Sequence, residues 1–124
     1  MPDYTPVFLP GQIYTTQASA AITGGQLVEV SGSGTVAPAA LNSVKVVGMA
    51  ARDAASGSKL PVILDKVVHE SVSAGGSTAG DSLGSGAAGT VATVAAAVGA
   101  AAGTRIGIAL TTAIDAAVIR WVAL

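Results

Sequence analysis

The chain has no cysteine and a single histidine in 124 residues. Disulfides, thiolate metal sites and thiol nucleophiles are thereby excluded, and imidazole catalysis has one candidate, His69. Charge is also scarce, at 10% of residues with a formal net charge of −1. Lys45, Arg52, Lys59, Lys66, Arg105 and Arg120 are scattered rather than massed, so there is no electrostatic footprint for DNA or RNA. The aromatics are Tyr4, Phe8, Tyr14 and Trp121 alone. Long runs of strongly apolar side chains are missing too. From Ser82 to Thr104 no residue is charged, yet Leu83, Val91, Val94 and Val98 are the only large apolar residues there. A membrane helix needs about 20 predominantly apolar residues, and this run is too dilute. The N-terminus "MPDYTPVFLPGQ" lacks a basic stretch followed by an apolar one, so no secretory leader is expected and the chain reads as made in a cytoplasm.

What remains is alanine, glycine, serine, threonine and valine. The length allows one domain with a modest core. Small side chains each bury little area, at about 25 cal/mol per Å² of apolar surface. Association with copies of itself or with a larger surface is therefore an expected source of stability.

The chain resembles itself. Gly34-Thr35-Val36-Ala37 matches Gly89-Thr90-Val91-Ala92, and Val47-Gly48-Met49-Ala50 matches Ile106-Gly107-Ile108-Ala109. Thr23-Gly24-Gly25-Gln26-Leu27 resembles Thr78-Ala79-Gly80-Asp81, with Leu83 arriving one residue late, and "KLPVIL" corresponds to "AVIRWVAL". These matches predict two diverged copies of a unit of about 55 to 59 residues, roughly 12–64 and 67–124. Glycines 48 and 107 fall inside strand patterns at equivalent places, where a bulge, a bend or a close backbone approach explains them.

Pro2, Pro6 and Pro10 give residues 1–11 an extended, turn-rich character. Tyr4 and Phe8 ride on this arm, and aromatics dominate interface energetics. From Gln12 the pattern is β: "QIYTTQ", "LVEVS", "TVA", "VKVVGMA", "LPVIL", "VVHESV", "RIGIALT" and "AVIRWVAL", separated by Gly, Ser and Asp turn signals. Asp65-Lys66 joins two strands as a hairpin or as a continuous bend. A short strand at Asp81–Leu83 and a helical turn around Ala95–Ala102 are further possibilities. Such short strands predict an all-β fold, a small barrel or sandwich of two similar halves behind an extended N-terminal arm.

Catalytic motifs are lacking. His69 and Glu70 point to opposite faces of a strand, and His69 reads as a half-exposed strand residue. "GSGAAG" (84–89) matches G-x-G-x-x-G, but a dinucleotide fingerprint needs a βαβ setting. Asp53, Asp65, Asp81 and Asp115 sit in predicted turns, where aspartate bonds local backbone. "LDKVV" is faintly similar to the lysine-bearing turn of lipoyl carrier domains, with Lys66 as the lysine, but their acidic context is missing. No enzyme, cofactor or metal is expected.

The order "ASAAITGGQLVEVSGSGTVAPA", "VKVVGMAARDAASG", "AGGSTAGDSLGSGAAGTVA" and "RIGIALTTAIDAAVIRWVAL" resembles the small capsid decoration, or cement, proteins of tailed bacteriophages over nearly the whole chain. The resemblance implies a β-rich, commonly trimeric protein on the outer surface of the expanded head, made in the host bacterial cytoplasm, bridging subunits of the major capsid protein. Tyr4, Thr5, Pro6, Val7, Phe8 and Leu9 are then the expected capsid or intersubunit contacts, and Trp121 is expected in the core. A phage surface module binding host carbohydrate or receptor is the alternative. Many relatives carry glycine in the turn where this chain has Ile114-Asp115-Ala116, so that turn departs from the pattern.

Overall fold

The computed structural model describes residues 13–64, 68–94 and 103–123. Ten short strands carry the fold, with one 3-10 turn at Ala87–Gly89. The first five are β1 (Ile13–Ala18), β2 (Leu27–Gly32), β3 (Thr35–Pro38), β4 (Val46–Ala50) and β5 (Lys59–Ile63). They close into a barrel in the order β1-β3-β2-β4-β5, with β5 returning to pair with β1. All pairings are antiparallel except β1 with β3. The second five are β6 (Val68–Val72), β7 (Ser82–Ser85), β8 (Val91–Thr93), β9 (Gly107–Ala109) and β10 (Val118–Ala123). Their order is β6-β10-β9-β7-β8, and a parallel bridge from Ser73 to Val91 joins the ends.

The two sheets bond alike. Ala18 N–H donates to Ser58 O as Ser73 N–H does to Ala117 O, both at 2.9 Å. The antiparallel bridge of Ile22 with Ala54 has its counterpart in Ser77 with Ala113. Gly25 N–H reaches Ala50 O as Gly80 N–H reaches Ala109 O. Val28 pairs with Gly48 and Leu83 with Gly107. Leu83 therefore stands where Val28 does and is not a displaced copy of Leu27, as the sequence match had suggested. Hydrophobicity misled that alignment, because Leu27 faces out of the barrel toward the second sheet.

Ala18, Ile22, Val28, Val36, Ala50, Leu60 and Val62 fill the barrel. A second cluster joins Leu27, Ala39 and Met49 of the first sheet to Leu83, Val91, Ala109, Ile119, Trp121 and Ala123 of the second. Strand alternation explains how Leu27 and Val28 serve two different cores. Where the barrel has Ala18 and Ile22, the second sheet has Ser73 and Ser77, buried and bonded to one another at 3.1 Å, with Thr93 Oγ1 donating to Ser77 Oγ at 3.0 Å.

The "RIGIALT" segment turns its small residues inward. Gly107 and Ala109 are buried, whereas Leu110 is exposed, because Trp121 already occupies the space. A Cβ on Gly107 would collide with the Trp121 ring and the Val122 carbonyl. A Cβ on Gly48 would collide with the Ile63 carbonyl. Both glycines thus let two strands approach closely. Asp65-Lys66 lies outside the described residues; the strands before and after it, β5 and β6, belong to different sheets and do not pair with each other. The arm and the Ala95–Ala102 turn also lie outside the described residues.

The departing turn near Ile114 keeps its left-handed residue. Gly57 N–H donates to Ala18 O with φ of 86°, and at the matching place Ala116 N–H donates to Ser73 O with φ of 63°. A Cβ in this region costs about 1–2 kcal/mol, part of which is regained through the smaller chain entropy of unfolded alanine. Ala116→Gly should therefore raise stability by up to about 1 kcal/mol, read as a higher urea midpoint with unchanged slope. Gly107→Ala should act oppositely and lower the midpoint strongly, since backbone and a buried indole both stand in the way.

Candidate interaction surfaces

Among the described residues no group of His, Cys, Asp or Glu side chains is placed to hold a metal ion. Of the turn aspartates, Asp81 bonds local backbone as expected, whereas Asp53 and Asp115 each reach a backbone N–H far away in sequence, and Asp65 lies outside the described residues. Asp53 accepts from Gly24 N–H at 2.7 Å, Asp81 from Thr78 N–H at 2.8 Å, and Asp115 from Gly75 N–H at 2.7 Å. "GSGAAG" runs from β7 into the 3-10 turn with no α-helix behind it, so the dinucleotide setting is missing. Gly89 is instead where the halves meet: its N–H donates to Ala39 O at 2.9 Å, and a Cβ there would lie 2.7 Å from that of Gln26.

The loop 39–45 is a candidate contact surface. Leu41 and Val44 are each 62% exposed, yet the backbone beneath them is held from several sides. Asn42 N–H donates to Ser85 O, Ser43 N–H to Ser85 Oγ, and Ser85 Oγ to Ala40 O at 2.7 Å. Glu29 accepts from Ala40 N–H at 2.7 Å and from Ser43 Oγ at 3.1 Å, with Lys45 Nζ 3.7 Å away. The Ala40 N–H, assisted by Ser43 and Lys45 against partial burial, holds the Glu29 carboxyl below its usual range. Exposed apolar groups on a pinned loop bind at low cost in ordering entropy.

The outer face of β6 and β10 is a second one. Val68 faces Val122, Glu70 faces Arg120, and Val72 faces Val118 across the ladder. Val68, Val72 and Val118 are exposed, and the Glu70–Arg120 ion pair at 2.9 Å lies between them. Such an exposed pair contributes little to stability, but the stripe offers a partner apolar contact with a charged register mark.

Between the two sheets lies a partly open cavity of about 440 Å³. Leu27, Val46, Val47, Gly48 and Leu64 form one wall, and His69, Arg105, Ile106, Trp121 and Ala123 the other. His69 is buried, not half-exposed as its sequence context suggested, because the face it shares with Ser71 and Trp121 is the inner one. Its ring centroid is 5.1 Å from that of Trp121, and Trp121 Nε1 donates to Ser71 Oγ at 2.9 Å. Trp121 is 2% exposed, in the core as expected. Sequence reasoning passed over Arg105, whose Nε is buried with no hydrogen-bond partner among the described residues. Its place just before β9 gave no signal of its own. Tyr4, Thr5, Pro6, Val7, Phe8 and Leu9 lie outside the described residues, as does Lys66.

Burial pushes the His69 pKa down. The unfolded chain takes up this proton near the ordinary value, about 6.5, while the folded chain resists it, so stability falls as pH drops through that value. Glu29, also depressed, adds a loss of the same sign below its own ordinary value, about 4.3. Thermal melts between pH 7.5 and 5 should show a falling midpoint in the natural protein and a flatter profile in His69→Gln.

Among solved structures the chain is similar to "head fiber gp8.5 N base" of bacteriophage phi29, with a TM-score of 0.73 and 18% identity over 91% of this chain and 93% of that one. No curated protein matches it in sequence. The family model described as "phage cement protein" matches residues 10–124. With that match spanning all ten strands, the chain belongs to the phage cement protein family, whose members are structural proteins of the phage head.

Proposed function

We propose that this protein binds the outer surface of the expanded head and bridges neighbouring subunits of the major capsid protein, acting as a homotrimer. In this reading residues 12–124 form one body and residues 1–11 an arm, with Tyr4, Thr5, Pro6, Val7, Phe8 and Leu9 at the capsid or intersubunit contact. The observation that carries the reading is the cement family match across residues 10–124. The exposed Leu41 and Val44 on their braced loop support it, as does the apolar stripe on β6 and β10.

The mechanism is linkage. A protein that binds the expanded lattice and not its precursor stabilises the expanded state by the difference in affinity, without chemistry. Bridging multiplies the effect, because a copy held at several points dissociates only when all contacts open together.

Purified protein should co-sediment saturably with undecorated, expanded heads of its source phage and not with unexpanded procapsids. Truncation at Gly11 should weaken that binding. Failure to bind either shell with the protein folded would overturn the reading, and binding to host-cell glycans instead would favour a receptor-binding module.

A further inference from the structure

The first half of the chain supplies a control for the second. The β1–β5 and β6–β10 ladders are the same pair of strands in the two repeats, as the matching bonds of Ala18 and Ser73 at their ends show. On its outward face the first ladder sets Ile13 opposite Ile63, Thr15 opposite Pro61 and Gln17 opposite Lys59. The second sets Val68 opposite Val122, Glu70 opposite Arg120 and Val72 opposite Val118. Where the first ladder ends in an exposed amide and an exposed ammonium, the second ends in two valines, 44% and 59% exposed. Leu110 borders the same face and is exposed as well; its N–H donates to the Arg120 carbonyl, as that of Ala51 does to the Pro61 carbonyl in the first half. One backbone thus carries two outer faces, one suited to water and the other apolar at both ends. Strand propensity does not account for the difference, since threonine serves a solvated strand as well as valine does. A contiguous exposed apolar patch of this kind marks an interaction surface.

The charges on the patch point to what covers it. Glu70 and Arg120 lie opposite each other in the middle row, bonded at 2.9 Å, with the anion on β6 and the cation on β10. Such a face is complementary to itself. Rotation about an axis running along the strands keeps each row at its own height and brings β6 of one copy against β10 of the next. Glu70 then meets Arg120 of the next copy, and valine meets valine in the rows above and below. A partner with one sign of charge would set one of the two ions against a like charge. The match of rows holds for a three-fold axis as it does for a two-fold one, and contacts of unlike edges close into rings. We infer that the outer face of β6 and β10 is the surface through which copies of this chain join, with Glu70 and Arg120 alternating around the contact. This contact presupposes the homotrimer proposed above and gives it a surface.

Transplanting the first half's own residues tests it. The full chain should self-associate in sedimentation equilibrium with no heads present, and Val72→Gln combined with Val118→Lys should weaken that association roughly tenfold or more. Both positions are exposed and the β1–β5 ladder carries the same two residues, so the variant should keep the circular dichroism spectrum of the natural protein. Charge reversal gives an independent reading. Glu70→Arg alone and Arg120→Glu alone should each weaken association, because like charges then meet between copies. The two changes in one chain should restore it, and a mixture of the single variants should associate more strongly than either by itself. A monomeric natural protein would overturn this inference together with the homotrimer. Undiminished association in the folded Val72→Gln, Val118→Lys variant would overturn the surface alone and leave the homotrimer standing. So would a variant that associates normally but no longer sediments with expanded heads, which would give the face to the shell instead.

Discussion

An indole has to be seated in a molecule made largely of alanine, glycine, serine and valine. Trp121 is held from three directions: Ser71 takes its N–H, His69 lies against its ring, and Gly107 yields the space a side chain would have filled. Leu27 and Met49 complete the shared core from the opposite sheet. Few other side chains here are large enough to span the gap between sheets. Replacing this one would remove a share of buried area that the small residues around it have no means of recovering.

The two halves solve one backbone problem with different side chains. Val62 of the barrel corresponds to Trp121, and Ala18 and Ile22 to Ser73 and Ser77, so the second sheet combines one very large apolar residue with a hydroxyl network. Each hydroxyl in that network has a partner, which makes its burial tolerable. The barrel relies on plain aliphatic packing and a closed ladder, and the second sheet relies on leaning against it through Gly89, Gln26 and the loop beneath Leu41.

Much of this was legible from local chemistry. Alternation in "LVEVS", the glycine-marked turns and the paired glycines at 48 and 107 all depend on rules that act within a few residues. The all-β barrel class followed from them. Alternation tells which residues share a face but not which face is inside, and His69 was misjudged for that reason. Equating Leu83 with Leu27 failed because similarity of side chain was allowed to decide what hydrogen bonding decides. The parallel pairing of β1 with β3 has no local signature at all, since the partners are distant in sequence and the turn residues between them do not encode it. Arg105 was invisible as a cavity residue because solitary charges look alike in sequence wherever they point.

The closed ladder of the first half uses no residue beyond Ile63. A ribosome therefore releases a segment whose strands are able to pair completely while the second sheet is still unmade, in keeping with folding from the N-terminal side during synthesis. In that interval Leu27 and Met49 face water. Trp121, the residue that will cover them, lies on β10, the last of the described strands. The order of synthesis thus leaves a transient apolar face whose lifetime is set by translation speed, and crowding of nascent chains acts on the protein through that face.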